Sequence, residues 1–166
     1  MPTSVVVRQG VKQDLPRTLE LIKELAEYEH GLDQVSNTVA RMEEDGFGPN
    51  SIFGFFVAEC DNQIVGIAVY YYRYSTWKGR RLYLEDIVVT EKERGKGIGK
   101  LLFDRILQKV LDDECSGVMF QVLDWNKPAI NFYKKYNTQF DGEWLNCHLD
   151  ADEIKTILKS TPKSPH

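Results

Sequence analysis

Apolar residues recur along this chain with two periods, and the period changes at glycine, proline and asparagine. Val5, Val6 and Val7 form a β-branched run, a predicted strand over 5–8. Leu15, Leu19, Ile22 and Leu25 fall at helical spacing. Asp14 is a fitting N-cap for them, Pro16 lies in the first turn, and Gly31 is expected to end the helix after Glu29. A second helix runs from Ser36 or Asn37 through Val39 and Met42 to Asp45, followed by a loop of Gly46, Gly48, Pro49, Asn50 and Ser51. Residues 53–60 and 64–74 are predicted strands around a hairpin turn at Asp61-Asn62. A second turn at 75–79 leads to a strand over 81–89. Ile98, Leu101, Leu102, Ile106 and Val110 mark the apolar stripe of a helix over 97–113. Residues 117–123 read as a buried strand and 124–126 as a turn. Pro128 opens a helix carrying Ala129, Ile130, Phe132 and Tyr133. Phe140 and residues 144–149 suggest a closing strand or strand pair. Asp150 with Glu153 fits a capping box for a last helix over 154–158. The tail, 160–166, is expected to fray.

This order predicts one mixed α/β (α+β) layer with a meander in the middle and crossover helices late. At 166 residues, without repeat or linker, the chain is expected to be a single domain over 1–166. The net charge of −4 argues against general nucleic-acid binding. No apolar run reaches membrane-spanning length, so no membrane partner is expected. The first residues lack the charged and apolar regions of a signal peptide. Cys60, Cys115 and Cys147 are widely spaced, and His30, His148 and His166 offer no metal spacing, so no metal is expected. Reduced cysteines in a cytoplasmic protein follow from this pattern.

The chemistry is concentrated in residues 83–102. A strand runs into a polar turn, Thr90 to Glu93, then Arg94-Gly95-Lys96-Gly97-Ile98-Gly99, then the helix. Glycines at 95, 97 and 99 let a ligand approach the backbone. The first N–H groups of a helix are unpaired and lie at its positive end, which suits phosphate. Arg94, Lys96 and Lys100 add positive charge. A P-loop would need Gly-Lys-Ser/Thr, which is not here. A dinucleotide fingerprint would need Gly-x-Gly-x-x-Gly after a first strand; here the spacing is Gly-x-Gly-x-Gly after a meander. The Arg/Gln-x-x-Gly-x-Gly/Ala pyrophosphate loop of acyl-CoA-dependent N-acetyltransferases matches Arg94 to Gly99 without a gap.

From about Val7 to about Trp144 the sequence resembles the GNAT superfamily, and more closely the spermidine/spermine (diamine) N-acetyltransferases. The residues carrying the likeness are 21–29 (Leu-Ile-Lys-Glu-Leu-Ala-Glu-Tyr-Glu), 44–48 (Glu-Asp-Gly-Phe-Gly), 74–79 (Tyr-Ser-Thr-Trp-Lys-Gly) and 82–86 (Leu-Tyr-Leu-Glu-Asp). The loop 94–99 and Trp125-Asn126-Lys127-Pro128-Ala129-Ile130-Asn131-Phe132-Tyr133-Lys134 complete the set. The resemblance implies the GNAT fold: a central, mostly antiparallel twisted sheet flanked by helices, with two central strands splayed by a bulge to hold acetyl-CoA. It implies that Arg94 to Lys100 bind the pyrophosphate, that the backbone N–H groups of Ile87, Val88 and Val89 face the thioester oxygen, and that Asn126, Lys127, Pro128 and Ala129 make a second cofactor contact. It further implies that Tyr133 donates to the coenzyme A sulfur, and that the family works as a homodimer.

Acetyl transfer to an amine needs a neutral nucleophile, although a free alkylamine is mostly protonated at pH 7, like lysine. Glu85 is the candidate base, through water. In a regular strand Glu85 and Asp86 point to opposite faces, and acids inside an apolar strand are costly unless partnered; the alternative for Glu85 is a strand-end charge beside Arg80 or Arg81. Residues 23–45 hold seven acids and two strong bases, a balance of −5 that leaves +1 for the rest of the chain. Such a region attracts a small cationic amine, and is equally a solvated helix face. Tyr28, Glu29 and Glu85 match the amine-site positions of the family, and Asp86 is a further candidate for binding the amine. Trp77 and Tyr74 either wall an alkyl chain or seal a dimer. Asp141 or Glu143 stands where the family has a substrate-binding Glu. Asn137-Thr138 replaces a family glycine turn, and Leu145-Asn146 replaces a basic position after Trp144. The expected activity is acetyl transfer from acetyl-CoA to a diamine or polyamine. The alternatives are thialysine or a lysine-like amino acid, whose carboxylate would need Arg73, Arg80 or Arg81, and a non-catalytic acetyl-CoA-binding module.

Overall fold

The computed structural model describes residues 4–160, which pack as two compact units, one up to Leu123 and one from Asp124 onward. The first unit is a five-stranded sheet in the order β1 (Val5–Gln9), β2 (Gly54–Cys60), β3 (Gln63–Ser75), β4 (Gly79–Val89), β5 (Val118–Phe120). The first four strands pair antiparallel; β4 and β5 are parallel, joined through α3 (Ile98–Asp112). The mixed layer, the meander and the late crossover are thus those read from the sequence.

Local chemistry explains each boundary. Asp61 and Asn62 both have positive φ, 52° and 62°, in a two-residue loop between paired Cys60 and Gln63. This is a type I′ hairpin, whose twist matches the flanking strands. Asp14 precedes α1 (Leu15–Tyr28), but its carboxylate does not cap that helix. It accepts from Val11 N and from both Arg8 Nη atoms at 2.7 and 3.0 Å, and Arg8 also donates to Glu59 at 2.7 Å. Arg8 thereby ties β1 to β2 and to the entry of α1, and holds the Asp14 carboxyl below the usual aspartate range. The turn after α1 takes its left-handed residue at His30, φ 61°, one position before the expected Gly31. Thr38 caps α2 (Val39–Phe47) by accepting from Arg41 N.

Helices cover both faces of the sheet. Leu15, Leu19, Leu21 and Met42 of α1 and α2 bury Phe55, Val57, Ile67, Val69 and Val88 on one face. On the other, α3 buries Ile98, Leu102, Phe103, Ile106 and Val110, while Leu101, expected in the stripe, is exposed. Phe103 meets Phe120 edge-on at 5.6 Å, and Arg105 lies 4.3 Å over the Phe56 ring. Leu102 comes so close to Gly66 that an added methyl would stand 3.0 Å from it, so the α3 contact requires glycine there.

The second unit contains α4 (Lys127–Lys134) and α5 (Ala151–Ser160). Two expectations fail here. Residues 144–149, read as a closing strand, form no strand among the described residues, and of the strand expected over 117–123 only β5 forms, so that 121–123, which lead into this unit, are lost as well. An apolar run becomes a strand only where a partner edge is offered. The turn after α4 behaves as read: Asn137 takes the left-handed conformation, φ 55°. Of the tail expected to fray, only Ser160 lies inside the described residues. No described helix is long and apolar enough to cross a membrane.

Candidate active site

The site is built on an irregularity of β4. Leu84 pairs with Tyr70 and Asp86 with Val69, so two neighbours on β3 face three residues on β4, and Glu85 is the extra one. A bulge of this kind breaks the alternation of faces. Ile67 and Val69 lie in the core under α1 and α2, and Tyr71 follows on the same side of β3. Tyr83 pairs with Tyr71, Asp86 with Val69 and Val88 with Ile67. Tyr83, Glu85, Asp86 and Val88 therefore share one face, and the expectation that Glu85 and Asp86 point apart is corrected by the bulge.

The contacts agree. Tyr71 donates to Glu85 Oε2 at 3.3 Å, and its ring stacks on Tyr83 at 5.1 Å. Burial, reinforced by Glu85 and Glu29, pushes the Asp86 carboxyl up to about 7. Burial also raises Glu29, at the C-terminal end of α1. Tyr71 is pushed up to about 12, by burial first and then by Glu85 and Tyr83. A carboxyl that titrates near neutrality beside two further acids is an arrangement found at functional sites. Glu29, Glu85 and Asp86, expected from sequence, thus come together, and Tyr71 joins them unforeseen. A polar tip on β3 became visible only through the pairing with β4.

Beyond Leu84 and Phe120 the β4–β5 ladder ends, although β4 continues to Val89. Among the described residues, Ile87, Val88 and Val89 therefore have no strand partner on that side. The glycine loop follows. Gly95 and Gly97 have φ of 78° and 81°, and an added methyl at either would meet nothing within 4 Å. Glycine is needed there for backbone conformation, and the space in front of the loop is open. Gly97 begins α3 with no side-chain cap, which leaves the first N–H groups facing that space. The Ile98 side chain is buried, so its backbone alone reaches the loop surface. This geometry fits a phosphate-bearing ligand.

Arg94 is held from three sides: its Nε donates to Val89 O at 2.9 Å, its Nη2 is 3.9 Å from Glu24, and its guanidinium lies 5.5 Å over the Tyr28 ring. Lys96 pairs with Glu93 and Lys100 with Asp104. Glu24, which its place in α1 marks only as a polar helix position, accepts from Thr90 Oγ1 and from Glu91 N at 2.9 Å. It ties α1 to the turn ahead of the loop.

In the second unit, Asn126 caps α4 by accepting from Ala129 N at 3.3 Å, with Lys127 and Pro128 in the first turn. Tyr133 is buried, its ring edge-on to Phe132, and its carbonyl accepts from Thr138 Oγ1 at 2.7 Å. Glu143 is exposed and its N–H donates to Asp141 Oδ1. Trp77 lies at the tip of the β3–β4 hairpin, 86% exposed and eight residues from Glu85, outside the acid cluster. No group of His, Cys, Asp and Glu among the described residues could hold a metal ion.

A mixed sheet with a bulged, half-unpaired central strand running into a glycine-rich helix start defines an acetyltransferase fold. The sequence profile of the Acetyltransferase (GNAT) family matches residues 17–137, and the chain belongs to that family of N-acetyltransferases. A thialysine N-epsilon-acetyltransferase of Sus scrofa is 42% identical over 166 residues, covering 93% of this chain and 97% of that protein. A Homo sapiens spermidine/spermine N(1)-acetyltransferase-like protein 1 is 40% identical over 134 residues, 76% of this chain and 19% of that longer protein. Among solved structures, an integron cassette protein from the mobile metagenome of V. cholerae has the same fold, with a TM-score of 0.76 at 20% identity, covering 95% of this chain and 99% of that one. The enzyme moves an acetyl group to an amine, as its family does.

Proposed function

We propose that the chain transfers the acetyl group of acetyl-CoA to the terminal primary amine of a short cationic molecule, a diamine, polyamine or diamino acid. The observation that carries this reading is the bulge that gathers Glu85 and Asp86 on one face, beside Glu29. Three acids there attract and orient an ammonium. The kinship to a thialysine acetyltransferase of Sus scrofa and to a spermidine/spermine acetyltransferase-like protein of Homo sapiens supports an acceptor of this size and charge.

The residues divide the work. The open loop from Arg94 to Lys100 and the α3 N-terminus bind the pyrophosphate, and Asn126, Lys127, Pro128 and Ala129 supply the second contact. When bound, acetyl-CoA supplies the activated thioester. Tyr28, Glu29 and Asp86 hold the amine. Glu85 removes its proton through a water molecule, and Asp86, titrating near 7, buffers the same site. The amine nitrogen then forms its bond to the acetyl carbon as the carbon–sulfur bond breaks. Backbone N–H groups from Ile87 to Val89, on the edge that β5 leaves open, stabilise the charge that grows on the carbonyl oxygen. Tyr133 returns a proton to the departing sulfur. Trp77, Tyr74 and Glu143 help hold the amine, in this reading, near the interface of a homodimer, and the enzyme is a single-domain cytoplasmic one. The free state of Cys60, Cys115 and Cys147 supports that location.

The test is thiol release from acetyl-CoA with putrescine, spermidine, spermine, thialysine and a peptide. Turnover with the small amines and none with the peptide is expected. Tight acetyl-CoA binding without turnover of any amine would favour a non-catalytic binding module instead.

A further inference from the structure

Past the acid cluster, the face that carries Tyr71 and Tyr83 ends in two arginines. Arg73 and Arg81 are directly opposed in the β3–β4 register, two residues beyond the Tyr71–Tyr83 pair. Like charges in directly opposed positions destabilise a sheet unless something neutralises them. Among the described residues, Arg8, Arg17, Arg94 and Arg105 each have an acidic partner, whereas Arg73 and Arg81 have none. Arg73 lies 5.8 Å over the Tyr83 ring and reaches Met119 Sδ on β5 at 3.6 Å. Arg81 runs beside Gly117, where an added methyl would come within 3.1 Å of its Nη2. Its Nε is buried with no hydrogen-bond partner. Arg80, one residue away, belongs to the opposite face, where its charge helps hold the Asp113 carboxyl down. The register thus sorts the three arginines: two share the face of Glu85 and one does not.

This arrangement is bipolar. Acids stand at one end, a pair of stacked rings in the middle and two guanidinium groups at the other. The geometry points to a carboxylate subsite at Arg73 and Arg81, so that the preferred acceptor is an amino acid with a terminal side-chain amine, not a bare diamine. Arg81 and Glu85 are four residues apart, about 13 Å along a strand. The carboxylate and terminal amine of an extended lysine-like molecule are roughly 7 Å apart by standard bond lengths. The arginine and glutamate side chains close the difference. Its methylenes lie along Tyr71 and Tyr83, its carboxylate takes a forked hydrogen bond from guanidinium, and its side-chain ammonium reaches Glu85 and Asp86. A bare diamine presents a second cation to the two arginines and is repelled. This inference rests on the acetyl-transfer reading above.

The test compares acceptors that differ only by the carboxylate: L-lysine with cadaverine, and L-ornithine with putrescine. The wild-type enzyme is expected to show at least about tenfold higher kcat/KM for the amino acid of each pair. In Arg73→Gln and Arg81→Gln that ratio falls about 10- to 100-fold, through KM more than kcat, with partial recovery in Arg73→Lys. An unchanged ratio in both variants overturns the subsite. A rise in KM for acetyl-CoA with the ratio unchanged also overturns it, and assigns the arginines to the phosphates of the cofactor. If the wild-type enzyme acetylates no amine, the acetyl-transfer reading itself fails and takes the subsite with it.

Discussion

Asp86 is the residue in which fold and chemistry conflict most visibly. Its carboxyl is raised from the ordinary aspartate range to about 7, by burial first and then by Glu85 and Glu29. A group whose folded pKa is raised favours the folded state fully below its unfolded pKa, near 4. That contribution is lost as pH rises to about 7. Asp86→Asn should therefore equal the wild type in stability near pH 4 and exceed it increasingly up to pH 7, by about 4 kcal/mol at most; thermal melts across that range measure it. A strained acid of this kind is suited to receive a cation. Amine binding at pH 6 should then release close to one proton from wild type and much less from Asp86→Asn, which calorimetry in buffers of different ionisation enthalpy reads directly. None of this was legible from sequence spacing. The Leu84-Glu85-Asp86-Ile87 run reads as an ordinary alternating strand, and the bulge is imposed by pairing with β3.

At the scale of elements, the glycine loop and the strand-to-helix entry make separable predictions. Gly97 at φ 81° has open space around it, so Gly97→Val strains the backbone without a clash. The strain, about 1–2 kcal/mol, should lower the melting temperature by only a few degrees, while the bulk in front of the N–H groups should weaken acetyl-CoA binding at least tenfold, as seen by titration. Arg8→Ala removes the partner of Asp14 and Glu59 and should destabilise the protein by about 2–3 kcal/mol at pH 7. The Asp14 carboxyl is held below its usual range, chiefly by Arg8, so this contribution is present above the unfolded pKa and lost as pH falls through the folded one. Wild type and variant should converge in acid. The loop, the hairpin at Asp61-Asn62 and the helices were readable because each rests on local chemistry: positive φ, capping and a 3.6-residue period. The strand expected over 144–149 was not, because a strand depends on a partner edge that its own residues do not specify. Glu24 escaped for the related reason that a polar residue on α1 looks solvated until Thr90 and Glu91 are folded against it.

The whole molecule carries its charge unevenly. Residues 23–45 hold a balance of −5 within a chain of −4. Long-range attraction of this kind is screened by salt. The kcat/KM for a cationic acceptor should therefore fall several-fold between about 20 and about 500 mM salt, and stopped assays at fixed acetyl-CoA would show it. The composition made that acidic surplus legible. It did not show that Arg73 and Arg81 share a face with Glu85, because that follows from register alone. In the proposed function the bulged β4 strand presents Glu85 as the group that frees the amine for attack. The most direct measurement is kcat/KM for the amine against pH in wild type and Glu85→Gln. Glu85→Gln should lose about 10²- to 10³-fold in kcat/KM and the basic limb of the pH profile, with acetyl-CoA affinity retained. Equal activity of the two enzymes over the whole pH range would contradict it and leave Glu85 a structural charge.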